Sequence, residues 1–69
     1  MAVYKIVELV GTSPTSWEEA AKSAVAAASS SLRDLRIAEV SDLDVQIDDG
    51  NVIAYRAKVK VSFKHEAGE

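Results

Sequence analysis

Apolar and polar positions divide the chain into three extended segments and one helical segment. Residues 3–10 are rich in β-branched side chains and too few for a typical helix, so they predict a first strand that ends at Gly11. From Trp17 to about Leu35, apolar side chains recur at three- and four-residue steps, which predicts a helix. The apolar stripe of this helix consists of Trp17, Ala21, Ala24, Ala28, Leu32 and Leu35.

Both ends of the helix have local signals. Residues 12–16 are typical of a turn, and Ser16 with Glu19 fits a capping box, in which the two side chains satisfy free backbone N–H groups. The run Ser29-Ser30-Ser31 is a poor helix former, so we expect fraying in the last turn.

The second half of the chain predicts a strand hairpin. Residues 35–47 form an interrupted strand, because apolar residues change parity between Val40 and Leu43, and this predicts a bulge near Ser41-Asp42. The sequence Asp48-Asp49-Gly50-Asn51 is a hairpin turn signal. From Val52 to Lys64 polarity alternates strictly. One face carries Ile53, Tyr55, Ala57, Val59, Val61 and Phe63, and the other carries Arg56, Lys58, Lys60, Ser62 and Lys64. Residues 65–69 are predicted to be a tail.

The predicted order is β-α-β-β in a single α+β domain over residues 1–69. A helical crossover followed by a hairpin allows the third strand to lie between the others, which gives a three-stranded antiparallel sheet of order 1-3-2 with the helix on one face. The other face and the edges stay exposed, so we expect partner subunits to complete the fold.

Size and composition favour self-association. The chain has 69 residues, 48% of them apolar, and no cysteine. Below roughly 70–80 residues one core seldom supplies more than about 3–5 kcal/mol, so without disulfides oligomerisation is the expected supplement. The net charge of −3 argues against nucleic acid or an anionic membrane as partner. The sequence has no apolar run long enough for a membrane span, and the absence of cysteine favours the cytoplasm.

Candidate catalytic chemistry is sparse, and we predict that the protein is not an enzyme. The sole histidine, His65, lies near a terminus, so nucleophile–base arrangements lack a positioned base. The four aspartates between residues 42 and 49 could suggest calcium, but their spacing does not match an EF-hand loop, and turn or exposed strand positions are favoured.

Two further features have alternative interpretations. The cationic row Arg56, Lys58 and Lys60 could bind phosphates, but acidic residues of the preceding strand (Glu39, Asp42, Asp44) favour cross-strand pairing or subunit contact. Trp17 could stack on a ligand, although its place in the first helical turn favours a packing anchor.

The whole chain resembles the dodecin family. The resemblance rests on four segments: VYKIVELVGTS at residues 3–13, the Ala-rich helix after SWEEAA at 16–21, AEV at 38–40, and YRAKVKVSF at 55–63. The resemblance implies a sheet curled around its helix and twelve copies in a hollow shell of tetrahedral symmetry. It also implies storage of flavins such as riboflavin or FMN in pockets on the two-fold axes.

The sequence departs from the family at the flavin pocket. Ile37 stands where the family has the tryptophan that stacks on the flavin, and Arg56 where it has a glutamine that hydrogen-bonds the ring. The acidic pocket residue is retained as Asp42. Ile37 offers no aromatic face, and Arg56 has donors only, so we expect flavin binding to be weakened or lost. Arg56 could instead pair with Asp42 or hold the phosphate of a nucleotide ligand.

These departures leave three functions open. The first is a homododecamer that binds and stores a small ligand, with flavin binding altered. The second is a calcium or other divalent-cation binder, because the chain is similar to a branch of the family that lacks the tryptophan and for which calcium has been proposed. Its metal ligands stay unassigned. The third is a purely structural shell.

Overall fold

The computed structural model describes residues 2–65 and confirms the β-α-β-β order. The elements are β1 (Val3–Ser13), α1 (Trp17–Ser29), β2 (Leu35–Asp48) and β3 (Asn51–His65). The predicted tail was wrong for His65, which ends β3 and pairs with Val3. The rest of that tail, residues 66–69, lies outside the described residues.

The sheet has the predicted antiparallel order β1-β3-β2. A register shift between Val40 and Asp42 confirms the bulge, and two further irregularities lie between Leu35 and Ile37 and between Gln46 and Ile47. The hairpin turn uses positive φ at Asp49 and Gly50, 50° and 77°. Since β3 is the central strand, its side chains form the middle row of both sheet faces.

The helix begins as predicted but ends earlier, at Ser29 instead of about Leu35. At its start, Ser16 Oγ accepts a hydrogen bond from Glu19 N at 3.1 Å. At its end, the hydroxyls of Ser29 and Ser30 donate to the carbonyl oxygens of Ala26 and Ala27. Such local hydrogen bonds compete with helix continuation. Leu32 and Leu35 therefore reach the core from the connection and from β2, not from the helix.

The core lies between α1 and the odd-numbered face of β3. It consists of Ala20, Ala24, Ala28, Ala57, Val59 and Val61, each at most 3% exposed. Ala20, which the predicted stripe omitted, is fully buried, whereas Ala21 is half-buried. Small side chains on both sides allow the helix to lie close to the sheet.

Gly11 lies inside β1, so the prediction that it ends the strand was wrong. A Cβ atom at this position would overlap the carbonyl oxygen of Ala20 and lie 3.0 Å from Ala24 N. Only glycine permits this approach of helix to strand. The residue is therefore a packing requirement and not a turn signal.

The protomer leaves much of its apolar surface uncovered. Its dimensions are 51 × 19 × 15 Å and its radius of gyration is 14.1 Å, against about 11 Å for a compact chain of this length. The exposed large apolar side chains are Val3, Tyr4, Ile6, Val7, Val10, Trp17, Ile37, Val40, Leu43, Ile47, Val52 and Ile53. Within residues 2–65, no helix is long and apolar enough to cross a membrane.

Candidate functional site

The three predicted pocket residues share one side of the sheet. We call this side the outer face: it is opposite α1 and consists of the even-numbered residues of β3 and their partners on β1 and β2. The register places Ile37 beside Ser62, Asp42 beside Lys58, and Asp44 beside Arg56. The bulge after Val40 adds one residue to β2 and so reverses its alternation. Odd-numbered Ile37 before the bulge and even-numbered Asp42 and Asp44 after it therefore lie on the same face.

Arg56 is held by Asp44. Its Nε donates to Oδ1 of Asp44 at 2.7 Å and its second terminal nitrogen donates to Oδ2 at 2.9 Å, which makes the ion pair bidentate. The suggested pairing of Arg56 with Asp42 is wrong, because the bulge shifts Asp42 opposite Lys58, where the two groups are 3.8 Å apart. The guanidinium of Arg56 is therefore already engaged within the chain through two of its three nitrogens.

This ion pair makes stability depend on pH in the acid range. The hydrogen bonds from Arg56 hold the pKa of the Asp44 carboxyl below its ordinary value of 3.8. A carboxyl whose pKa is lowered by folding contributes stability above its unfolded pKa, and the contribution is lost as pH falls through the folded pKa. We therefore expect Asp44→Asn to lower the urea midpoint at pH 7, and we expect the difference from the parent protein to shrink as the pH is lowered from 4 to 2. An undiminished difference at pH 2 would contradict the assignment.

Trp17 ties the helix to the same part of β2. Its indole N–H donates to the carbonyl oxygen of Asp44 at 3.0 Å, and its ring contacts Tyr55 edge to face, with centroids 5.2 Å apart. This geometry favours the packing-anchor interpretation over a ligand platform. The predicted cross-strand pairing of the cationic row with Asp44 is confirmed, but the sequence reasoning did not match Asp44 to Arg56, although the parity of Asp44 after the bulge was a usable signal.

Ile37 lies at the other end of the outer face. It is 66% exposed and, with Tyr4, Arg36 and Ser62, lines a surface cavity of about 260 Å³. Its partner Ser62 is six residues along β3 from Arg56, which corresponds to about 20 Å. One chain therefore places Asp42 and Arg56 at neighbouring register positions, without a bond between them, and leaves Ile37 apart, so a pocket containing all three needs a second copy.

The cationic row is matched by acidic partners. Lys60 faces Glu8 on β1 and Glu39 on β2, while Arg56 and Lys58 have the partners described above. These pairs favour cross-strand neutralisation over a phosphate-binding surface. Among residues 2–65, no three His, Cys, Asp or Glu side chains are grouped closely enough to hold a metal ion.

Comparison with known proteins identifies the relatives of this chain. The sequence model of the Dodecin family matches residues 3–66. A protein of Mycobacterium tuberculosis named calcium dodecin is 50% identical over 64 residues, which are 93% of this chain and 90% of that one.

Solved structures agree with this relationship. Dodecin from Streptomyces coelicolor superimposes with a TM-score of 0.90 at 37% identity, covering 97% of this chain and 96% of that one. Calcium dodecin from Mycobacterium tuberculosis, described as calcium chelating with a novel calcium-binding site, gives a TM-score of 0.84 at 46% identity. It covers 97% of this chain and 96% of the neighbour.

Proposed function

Because the chain belongs to the dodecin family, we propose that residues 1–69 form one domain that assembles as a twelve-copy hollow shell and binds a small ligand for storage. The pocket is assigned to Ile37, Asp42 and Arg56 from adjoining copies. The observation that carries the proposal is that a chain with the dodecin fold leaves these three residues and many apolar side chains exposed. No catalysis is proposed, and the absence of cysteine supports a cytoplasmic location.

Flavin binding is weakened or lost in this proposal. An aromatic pair contributes about 0.5–1.5 kcal/mol beyond area burial, and Ile37 cannot form one with a flavin ring. Arg56 cannot accept a hydrogen bond from the ring imide, and two of its three nitrogens already donate to Asp44. Titration of riboflavin and FMN, followed by flavin fluorescence, tests this point. Submicromolar quenching by the unmodified protein would contradict it.

Restoring the family's residues should restore affinity. We expect Ile37→Trp with Arg56→Gln to tighten riboflavin binding about tenfold or more, since a tenfold change corresponds to about 1.4 kcal/mol. Ile6→Trp with Arg56→Gln is the matched control. Ile6 and Ile37 flank Ser62 on opposite sides and are equally exposed, at 66%. Equal tightening in both double variants, or in neither, would show that the pocket is assigned to the wrong residues.

Calcium binding is the second candidate, and the 50% identity to calcium dodecin favours it. A single chain does not fit the ion within its described residues, because Asp42 and Asp44 are already paired with Lys58 and Arg56. A calcium site would therefore draw oxygen ligands from more than one copy. Calorimetry with millimolar calcium tests this, and heat no greater than that of a magnesium control would remove the candidate.

A shell that binds neither flavin nor calcium would support the third possibility, a purely structural role.

A further inference from the structure

The tip of the β2–β3 hairpin extends beyond the rest of the fold. The register of β1 with β3 ends at Ser13 and Tyr55, and the described chain continues from there to the turn as a two-stranded ribbon, residues 46–54. We call this segment the hairpin ribbon. A two-stranded ribbon is at best marginally stable alone in water. Its neighbouring apolar side chains Ile47 and Val52 are 63% and 52% exposed, so the described part of the chain leaves the ribbon largely uncovered.

A complementary surface lies elsewhere on the protomer. α1 packs over β1 and β3 and leaves an apolar groove of about 380 Å³ beside β2, which we call the α1–β2 groove. Val25 and Ala26 form its helix wall, Ala38 and Val40 its strand wall, and the buried Val59 its floor. Its volume equals that of about a dozen water molecules at about 30 Å³ each. Leaving such an apolar surface in water forgoes hydrophobic stabilisation.

The groove also has a positively charged residue at its wall. Lys22 lines it, and within residues 2–65 its ammonium group has one ion pair, at 3.9 Å from Glu19, in which both side chains are largely exposed. Such a pair contributes little, so the positive charge stays available to another partner. The hairpin ribbon has two carboxylates at its turn, Asp48 and Asp49, directly beyond Ile47.

We propose that the hairpin ribbon of one copy packs into the α1–β2 groove of the next, with Ile47 and Val52 on the apolar walls and Asp48 beside Lys22. The contact cannot form within one chain, because Val52 lies seven residues along β3 from Val59, about 23 Å away. It is a head-to-tail contact. Such contacts close into a ring when the rotation that relates neighbouring copies is a whole fraction of 360°. In the proposed tetrahedral shell the ring has three copies. This inference rests on the proposed assembly and names one of its interfaces.

Disulfide cross-linking tests the contact, because the chain has no cysteine of its own. We expect Val25→Cys with Val52→Cys, mildly oxidised, to run on a non-reducing denaturing gel as a ladder that ends at three chains. A disulfide needs Cα atoms within about 7 Å, so the product reports close contact. Val25→Cys with Val10→Cys is the control, because Val10 and Val52 are equally exposed, at 52%. The control should stay largely single-chain.

A charge exchange gives an independent measurement if the cysteine variants fold poorly. Lys22→Glu should lower the assembled fraction at low salt, and adding Asp48→Lys should restore it. An assembled parent protein whose V25C/V52C variant gives no more cross-links than the control would overturn the contact and leave the assembly standing. Failure of the charge exchange to restore assembly would overturn it likewise. A parent protein that is monomeric would overturn both the contact and the proposed shell.

Discussion

Replacing Gly11 with alanine should lower the free energy of unfolding by about 3 kcal/mol, the upper end of the usual cost of overpacking. The added Cβ would overlap the carbonyl oxygen of Ala20, a backbone atom that cannot rotate away as a side chain can. Helix α1 would have to move off the sheet and would lose the contacts of Ala20 and Ala24. Urea unfolding at a fixed protein concentration measures the change, since assembly makes stability concentration-dependent.

Gly50→Ala is the matched control for Gly11. Gly50 has a φ of +77°, which disfavours a side chain, but no described residue other than its two chain neighbours lies within 4 Å of the position that a Cβ would occupy. A left-handed conformation costs a residue with a Cβ roughly 1–2 kcal/mol. We therefore expect the alanine at position 50 to be the milder of the two substitutions. If both variants unfold at the same urea concentration, close packing of helix and sheet is not the reason for Gly11.

Val59→Ala should cost about 2 kcal/mol, because it removes two buried methyl groups and leaves a cavity. Val59 lies in the central strand, is fully buried, and belongs to the same core cluster as the buried alanines of α1. The variant should keep its far-ultraviolet circular dichroism and unfold at a lower temperature. Val10→Ala, at a half-exposed position of the outer face, is the control. A melting temperature for the Val59 variant equal to that of the control would contradict the assigned core.

Strand positions could be predicted from the sequence because alternation of polarity is a local property. The change of parity between Val40 and Leu43 located the bulge, and the alternating β3 segment identified Val59 and Val61 as inward-facing. The predicted end of α1 was wrong. Leu32 and Leu35 continue the helical period of apolar residues, but they reach the core from outside the helix. Periodicity shows which side chains are buried but not which backbone conformation buries them.

Contacts between distant segments were harder to predict. Gly11 suggests a turn in isolation, and its packing role appears only when Ala20 is placed above it. The partner of Arg56 depended on a one-residue shift at the bulge, which places Asp44 instead of Leu43 opposite Arg56. Trp17 reaches Asp44 across 27 residues of sequence, a contact that no local pattern encodes. The pocket residues were selected by family resemblance, and they converge only if copies of the chain adjoin.

Incomplete burial links this fold to its proposed function. The sheet face that carries Ile37, Asp42 and Arg56 is the face that α1 does not cover, so in the proposed assembly this exposed face would supply both subunit contacts and the shared pocket. A ligand bound there would contact more than one chain and would stabilise the assembly by mass action.

Light scattering after size exclusion tests self-association of this chain most directly. Twelve chains of 7.4 kDa predict a particle of about 89 kDa that persists on dilution, because each protomer is held by several contacts at once. A folded species of about 7 kDa at micromolar concentration would contradict the account, since it would show that one copy stays folded with its apolar surface exposed to water.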